Sequence, residues 1–271
     1  MRNIIVLKCG GSTIDHLSDD FFENIITLQK AGFHPVIVHG GGPAIKEMLT
    51  KQQIETTFVD GLRKTTQPVM DVVEMILTGV VNNAIVRRLN DATIQSVGLS
   101  GSDSHLLTAV AKDFARYGYV GNVTGVNVTL LHQLIDLGIV PVIAPIALGQ
   151  EGTRYNINAD LAAGAVAKAL TAKQLIFVTD VPGIMVENQL LSTITEQQVK
   201  EYIETGVIYG GMIPKVEAAL TSLSEDLQEV MIMDGNQSVM ATTTSGLVGT
   251  IIKKEETGDN HVRPITNVQP L

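Results

Sequence analysis

The sequence predicts an α/β fold, a three-layer sandwich with a central, mainly parallel sheet and helices on both faces. Short β-branched runs alternate with helical patterns along the chain, which is how a sheet with helical crossovers reads. Glycine clusters, Gly10-Gly11, Gly40-Gly41-Gly42 and Gly210-Gly211, each fall at the mouth of a strand or the start of a helix. The chain has 271 residues, 45% of them hydrophobic and 17% charged, enough to bury a large core. Its formal net charge of −9 argues against nucleic acid or an anionic membrane as the main partner. An anionic substrate must then be held by a few local cations and backbone amides. One cysteine, Cys9, excludes an intramolecular disulfide and fits a reducing compartment. The six-residue apolar strand pattern after Met1-Arg2-Asn3 is too short for a signal-peptide core, and no later stretch reads as long enough to span a bilayer, so a cytoplasmic protein is expected.

The elements follow in order. Ile4–Leu7 reads as a buried strand running into Gly10-Gly11. Ser18 caps a helix with Phe22, Ile25, Ile26 and Leu28 on its apolar side, closed by Gly32. Pro35–Val38 is a strand leading to His39-Gly40-Gly41-Gly42-Pro43, where proline suits a helix start. From Pro68 to Asn90, Val69, Val72, Val73, Ile76, Leu77, Val80 and Val81 recur at helical spacing, predicting one long helix. Further strands are predicted at Ile94–Val97, Val140–Ala144, Leu175–Val178 and Glu229–Met233, with helical segments near 129–137, 159–170 and 212–224. The polar stretch from Lys253 to Leu271 reads as a loosely held tail.

Familiar nucleotide signatures are absent: there is no P-loop, no dinucleotide fingerprint and no protein-kinase set. No His/Cys group has zinc spacing. Four constellations remain. Lys8 ends the first strand beside an amide-rich turn. Gly61-Leu62-Arg63 offers a guanidinium able to clamp a carboxylate with two prongs, although the ordinary reading is a surface arginine. Asn156-Ile157-Asn158-Ala159-Asp160 sets three short polar side chains before an Ala-rich helix, where an N-cap needs only one of them. Gly210-Gly211-Met212-Ile213-Pro214-Lys215 puts a second lysine at a helix start, where the dipole and free N–H groups favour anions.

These segments, with Gly98-Leu99-Ser100-Gly101-Ser102-Asp103 and Thr179-Asp180-Val181-Pro182-Gly183, resemble the ordered motifs of the acetylglutamate kinase branch of the amino acid kinase family. The resemblance runs from Lys8 to about Gly249. It implies that Lys8 and Lys215 stabilise a transferring phosphoryl group, with Asp160 orienting both lysines. Gly41, Gly42, Arg63, Asn156 and Asn158 would bind the acyl amino acid. Gly10, Gly11, Thr179, Asp180, Val181, Gly183, Ile184, Gly210, Gly211 and Met212 would line the ATP site, with magnesium carried on the nucleotide. The implied reaction phosphorylates the side-chain carboxylate of N-acetyl-L-glutamate. The alternatives are the homologous N-acetyl-2-aminoadipate kinase or a non-catalytic metabolite-binding module of the same fold. The chain departs from the pattern at two places: Lys64-Thr65-Thr66 follows the arginine where many family members have valine and then Thr-Asp, and Cys9 stands where a bulkier apolar residue is common.

The resemblance also suggests an acyl-amino-acid and dimerisation lobe over 1–170, an ATP lobe over 171–252 and a tail over 253–271. The apolar residues of the 68–90 helix cover more than one stripe, which leads to an expected homodimer through that helix. Arginine-inhibited members of the family carry an extra N-terminal helix, and Lys8 follows Met1 too closely to leave room for it, so insensitivity to arginine is expected.

Overall fold

Alternate residues of a strand face opposite sides of its sheet, and the first strand uses both. Ile5, Leu7 and Cys9 join one buried cluster, and Ile4 and Val6 join another. The structure, a computed structural model, describes residues 2–11, 18–187, 189–225, 227–235 and 247–254. The chain begins with β1 (Asn3–Cys9), α1 (Asp19–Lys30), β2 (Phe33–His39), α2 (Gly42–Lys51), β3 (Phe58–Val59), β4 (Leu62–Arg63) and α3 (Gln67–Asp91). It continues with β5 (Ser96–Ser100), β6 (Leu107–Ala111), α4 (Phe114–Tyr117), β7 (Gly121–Val126), α5 (Val128–Asp136), β8 (Val140–Ala144), β9 (Ile146–Leu148) and β10 (Arg154–Asn156). The last part holds α6 (Ala159–Ala169), β11 (Gln174–Thr179), β12 (Met185–Val186), β13 (Gln189–Leu190), β14 (Thr193–Thr195), α7 (Glu196–Glu204), α8 (Met212–Ser222), β15 (Glu229–Asp234) and β16 (Thr250–Lys253).

The central sheet runs β14-β16-β15-β11-β1-β2-β8-β5 and is parallel except where β15 meets β16. The two apolar clusters cover its two faces, giving the expected three layers. A smaller sheet, β10-β9-β6-β7, and the β3-β4 hairpin stand beside it. Neither was expected, because their short strands are partly exposed and carry no continuous apolar run. The strand expected at Ile94–Val97 begins instead at Ser96. Thr93 takes a left-handed turn at φ +64, and the Ile94 amide still bonds back to Leu89, so Ile94 closes the preceding helix. β16 extends as far as Lys253, and residues 255–271 of the expected tail lie outside the described residues.

The long helix is present, with one irregularity: Met75–Val81 is wound as a π-helix between two α-helical stretches. Its 25 residues, with mean hydropathy reaching 1.6, make it long and apolar enough to cross a membrane. The expectation that no stretch reaches that length is therefore corrected. The apolar residues are spent inside the fold: Val69, Met70, Val72, Val73, Ile76, Leu77 and Val81 are buried, while Met75 and Val80 are exposed.

A buried polar knot fixes this helix to the sheet. His39, at the end of β2, is fully buried. Its Nδ1–H donates to the Gly40 carbonyl at 2.9 Å. Its Nε2 accepts from Asn82 Nδ2 at 3.1 Å, and the same amide donates to the Val142 carbonyl on β8 at 2.9 Å. Both ring nitrogens are satisfied by a neutral imidazole, and burial pushes the His39 pKa from 6.5 down to about 4. The unfolded chain takes up this proton near pH 6.5, and the fold resists it until about pH 4. The stability that follows is complete above the unfolded value and is lost as pH falls through that window. We expect about 2 kcal/mol of the stability lost between roughly pH 7 and 4.5 to disappear in His39→Gln. Denaturant titrations of both proteins at the two pH values measure it, and equal losses would mean that His39 is charged in the fold.

Candidate active site

Strand alternation places Lys8. It follows Ile4 and Val6 on the same face of β1, and at the strand end it leaves the apolar cluster. Its Nζ lies 2.8 Å from Asp160 Oδ1, an ion pair whose two side chains are 16% and 31% exposed and so only partly screened by water. The ammonium also stands 6.0 Å from the Phe177 ring centroid on β11. Asp160 owes its position to the start of α6. Asn158 is the N-cap, its Oδ1 accepting from the Asp160 amide at 2.8 Å and the Leu161 amide at 3.2 Å. A carboxylate in the first helical turn is favoured by the helix dipole.

Lys215 occupies the first turns of α8, whose Val216 and Ala219 pack into the same apolar cluster as Ile4 and Val6. Both lysines therefore belong to one face of the sheet. Lys215 Nζ donates to Asp180 Oδ1 at 2.8 Å, and this hydrogen bond holds the Asp180 carboxyl below its ordinary pKa. The expected contact of Asp160 with both lysines is thus divided between two carboxylates: Asp160 takes Lys8 and Asp180 takes Lys215. Asp180 follows β11, the neighbour of β1, and 73% of its side chain is exposed.

Two glycine turns close on each other behind this pair. The Gly40 amide donates to the Cys9 carbonyl at 2.9 Å, stitching the turn after β2 to the end of β1. A Cβ on Gly11 would stand 2.7 Å from the Gly42 nitrogen and 2.8 Å from the Gly41 nitrogen. A Cβ on Gly41 would stand 2.5 Å from Leu77 Cδ2, in the π-helical stretch of α3. No side chain fits at Gly11, where the obstacle is backbone, whereas at Gly41 the Leu77 side chain would have to give way. Cys9 beneath them is fully buried, and burial pushes its thiol up to about 12, which suits packing and excludes a nucleophile.

In front of the turns is a cleft of about 210 Å³, lined by Gly40, Gly41, Gly42, Arg63, Asn156, Asn158 and Asp160, with the β3-β4 hairpin as one wall. The sequence-predicted acyl-binding residues all meet there. Arg63 is 8% exposed, and burial lowers its pKa from the ordinary value. A guanidinium nevertheless stays charged. Nη1 donates to Thr56 Oγ1 at 3.2 Å and Nη2 to the Gly42 carbonyl at 3.3 Å, and the group lies 4.8 Å from the Phe58 ring centroid. Arg63 has no carboxylate partner among the described residues. A buried cation with only neutral partners is a costly arrangement that an incoming anion relieves.

The expected nucleotide residues lie around the neighbouring strand ends. Val181 N donates to Thr179 Oγ1 at 3.2 Å, forming a tight turn after β11. The Ile184 amide donates to Thr250 Oγ1 at 2.8 Å, and the Ile184 side chain is buried in the core. Gly183 packs against the same Thr250. Gly210 and Gly211 are exposed just before α8, which Met212 begins.

The chain matches the amino acid kinase family over residues 3–234. The chain belongs to the amino acid kinase family. Acetylglutamate kinase of Halalkalibacterium halodurans is 53% identical over 255 residues, covering 94% of this chain and 98% of that protein. Acetylglutamate kinase of Bacillus pumilus is 49% identical over 256 residues, with the same coverage. Among solved structures, smu.665 from Streptococcus mutans UA159 superposes with a TM-score of 0.80 at 35% identity, covering 93% of this chain and 99% of that one.

Sequence reasoning about this amino acid kinase missed the residue that ties the cleft together. Thr65, noticed only as a departure from the family pattern, is fully buried. Its Oγ1 donates to the Arg63 carbonyl at 2.9 Å and accepts from Asn156 Nδ2 at 3.1 Å. It links Arg63 and Asn156, two of the expected acyl-binding residues. The only signal was its place two residues after the arginine, which a strand sets on the same side. Asn82 and the role of His39 were also missed, since nothing in a helical apolar pattern marks a buried amide.

Proposed function

We infer that the chain is an ATP-dependent kinase that phosphorylates the γ-carboxylate of N-acetyl-L-glutamate to the acyl phosphate, a step of arginine biosynthesis. The observation that carries this reading is Arg63, a buried cation with no carboxylate partner among the described residues, facing the cleft that Asn156 and Asp160 also line. Near-full-length identity to acetylglutamate kinases supports it. In this reading Arg63 and Asn156 hold the α-carboxylate, and the amides of Gly41 and Gly42 at the N-terminus of α2 meet the reacting end, with Asn158 beside them. The first N–H groups of a helix have no internal partner and suit an anion.

The acceptor carboxylate is already ionised at neutral pH (reference value about 4.3), so no base is required. One of its oxygens forms a bond to the γ-phosphorus of ATP as the bond to the ADP oxygen breaks. Charge positioning is the main task in such a transfer. Lys8 and Lys215, on the same face of the sheet, stabilise the migrating charge, Asp160 orients Lys8, and Asp180 orients Lys215. Gly10 and Gly11 approach the phosphates, and Thr179–Ile184 with Gly210–Met212 form the nucleotide side. The exposed Asp180 carboxylate would be a suitable hard oxygen ligand for magnesium carried on the phosphates, or for its water, and the ion would supply further charge neutralisation. In this reading the acyl side lies within 1–170 and the nucleotide side, apart from Gly10 and Gly11, within 171–252. The buried, unreactive thiol of Cys9 is compatible with a reducing cytoplasm.

Steady-state kinetics of three variants test the roles. Lys8→Ala and Lys215→Ala should each lower kcat by roughly a hundredfold or more, as loss of a transition-state donor does. Arg63→Lys, which keeps charge but loses the two-pronged geometry, should raise KM for acetylglutamate much more than KM for ATP. Near-normal turnover in Lys215→Ala, or a larger effect of Arg63→Lys on ATP, would overturn the assignment. Initial rates with acetylglutamate and acetyl-2-aminoadipate should favour the former.

For assembly we propose a homodimer across the exposed part of α3, where Met75 and Val80 are 47% and 52% accessible. Light scattering should give the mass of two 29.0 kDa chains. A monomer mass, or a dimer unchanged when both Met75 and Val80 become Lys, would place the interface elsewhere or remove it.

A further inference from the structure

The β3-β4 hairpin has two residues in each strand, far too few to stand alone. It nevertheless supplies Phe58, Gly61, Leu62 and Arg63 to the wall of the cleft. Its turn is Asp60-Gly61, with φ +49 and +75, the left-handed pair that a two-residue hairpin loop uses. At the base, Arg63 reaches Thr56 and Gly42 only through long hydrogen bonds to neutral acceptors. The tip is held differently. Tyr117 Oη donates to Asp60 Oδ2 at 2.6 Å, and Arg116 Nη2 reaches the same oxygen at 2.6 Å.

The partners of Asp60 are themselves anchored. Tyr117 is 6% exposed and ends α4, whose N-cap Asp113 accepts from the Arg116 amide at 3.1 Å. The Thr65 amide donates to the Tyr117 carbonyl at 2.9 Å, and the Tyr119 amide donates to the Thr65 carbonyl at 2.7 Å. Tip and base of the hairpin therefore both fasten to the loop between β6 and β7. Only the tip contact is an ionic hydrogen bond that side-chain movement alone releases. The Asp60 carboxylate also raises the Tyr117 phenol above its ordinary pKa, chiefly through this hydrogen bond.

We propose that Asp60, Tyr117 and Arg116 form a latch that keeps the hairpin against the cleft and so holds Arg63 in place for the acyl substrate. The three are positioning residues, because none of them lines the cleft. The proposal rests on the reading of Arg63 as the carboxylate clamp. A latch of this kind changes the fraction of molecules with the clamp in place, so it acts on substrate affinity and leaves the chemical step alone.

The test uses Tyr117→Phe, which keeps the buried ring and removes only the hydroxyl, with Asp60→Asn as the second variant. KM for acetylglutamate should rise about tenfold in Tyr117→Phe, in keeping with loss of a hydrogen bond to a charged group. Both kcat and KM for ATP should stay within about twofold, and the two substitutions combined should fall short of additive because they remove one contact. Hydrogen exchange gives an independent readout. The Lys64 amide, bonded to the Thr57 carbonyl across the hairpin at 2.9 Å, should exchange faster in ligand-free Tyr117→Phe and regain protection at saturating acetylglutamate. Unchanged exchange in both variants would overturn the latch. Faster exchange with an unchanged KM would overturn its link to the substrate and locate the failure in the Arg63 assignment. A fall in kcat with KM unchanged would also overturn the proposal.

Discussion

Gly11 lies so close to the turn after β2 that a methyl group on its Cα would stand 2.7 Å from one backbone nitrogen and 2.8 Å from the next. Two neighbouring parallel strands end at this contact, and their turns can nest because Gly11 carries no side chain there. The nested turns fix the N-terminus of α2, whose free amides open into the cleft. They also seat Gly41 against Leu77 and Val81, which couples the cleft floor to the π-helical stretch of α3. A π-helical turn widens a helix locally and is often found beside functional sites. Here it brings two apolar side chains, Leu77 and Val81, over Gly41.

Charge is distributed around this nest in a way the acidic composition makes necessary. A chain of net charge −9 repels anionic substrates on average, so local cations must dominate at the strand ends. Lys8 and Lys215 are each held by one carboxylate, which restrains them without removing their remaining N–H donors. Arg63 is left with neutral partners in a nearly buried position, the arrangement with the most to gain from a ligand carboxylate. In the proposed reaction, affinity for the acyl substrate comes from Arg63, and stabilisation of the migrating charge comes from the lysines. The two tasks fall to different elements, Arg63 to the β3-β4 hairpin and the lysines to the end of β1 and the start of α8.

Most of the central sheet was legible because its strands are buried on both faces and read as β-branched runs. Val140–Ala144 was placed without error, and the helices after Asn127, Asn158 and Gly211 were placed to within two residues. The second sheet was not legible: β6 and β7 mix exposed Val110 and Asn122 with buried Ala109, so neither periodicity dominates. Asp60-Gly61 is a strong hairpin signal that went unused, since only two-residue strands flank it. The glycine turns and the lysines were legible as motifs. Their partners were less so, because whether Asp160 or Asp180 reaches Lys215 depends on the packing of α8 against the sheet, which spacing along the chain does not encode.

The dependence of the site on nested backbones is tested most directly by kcat/KM for acetylglutamate in Gly11→Ala, measured together with the melting temperature. The added methyl must push one turn away by a large fraction of an ångström, and misplacement of that order costs about a hundredfold in rate. Overpacking of this kind costs about 1–3 kcal/mol, which lowers the melting temperature of a chain this long by roughly 2–12 °C. The account predicts a folded protein with kcat/KM reduced by about a hundredfold or more. A folded Gly11→Ala protein with wild-type kcat/KM would contradict it.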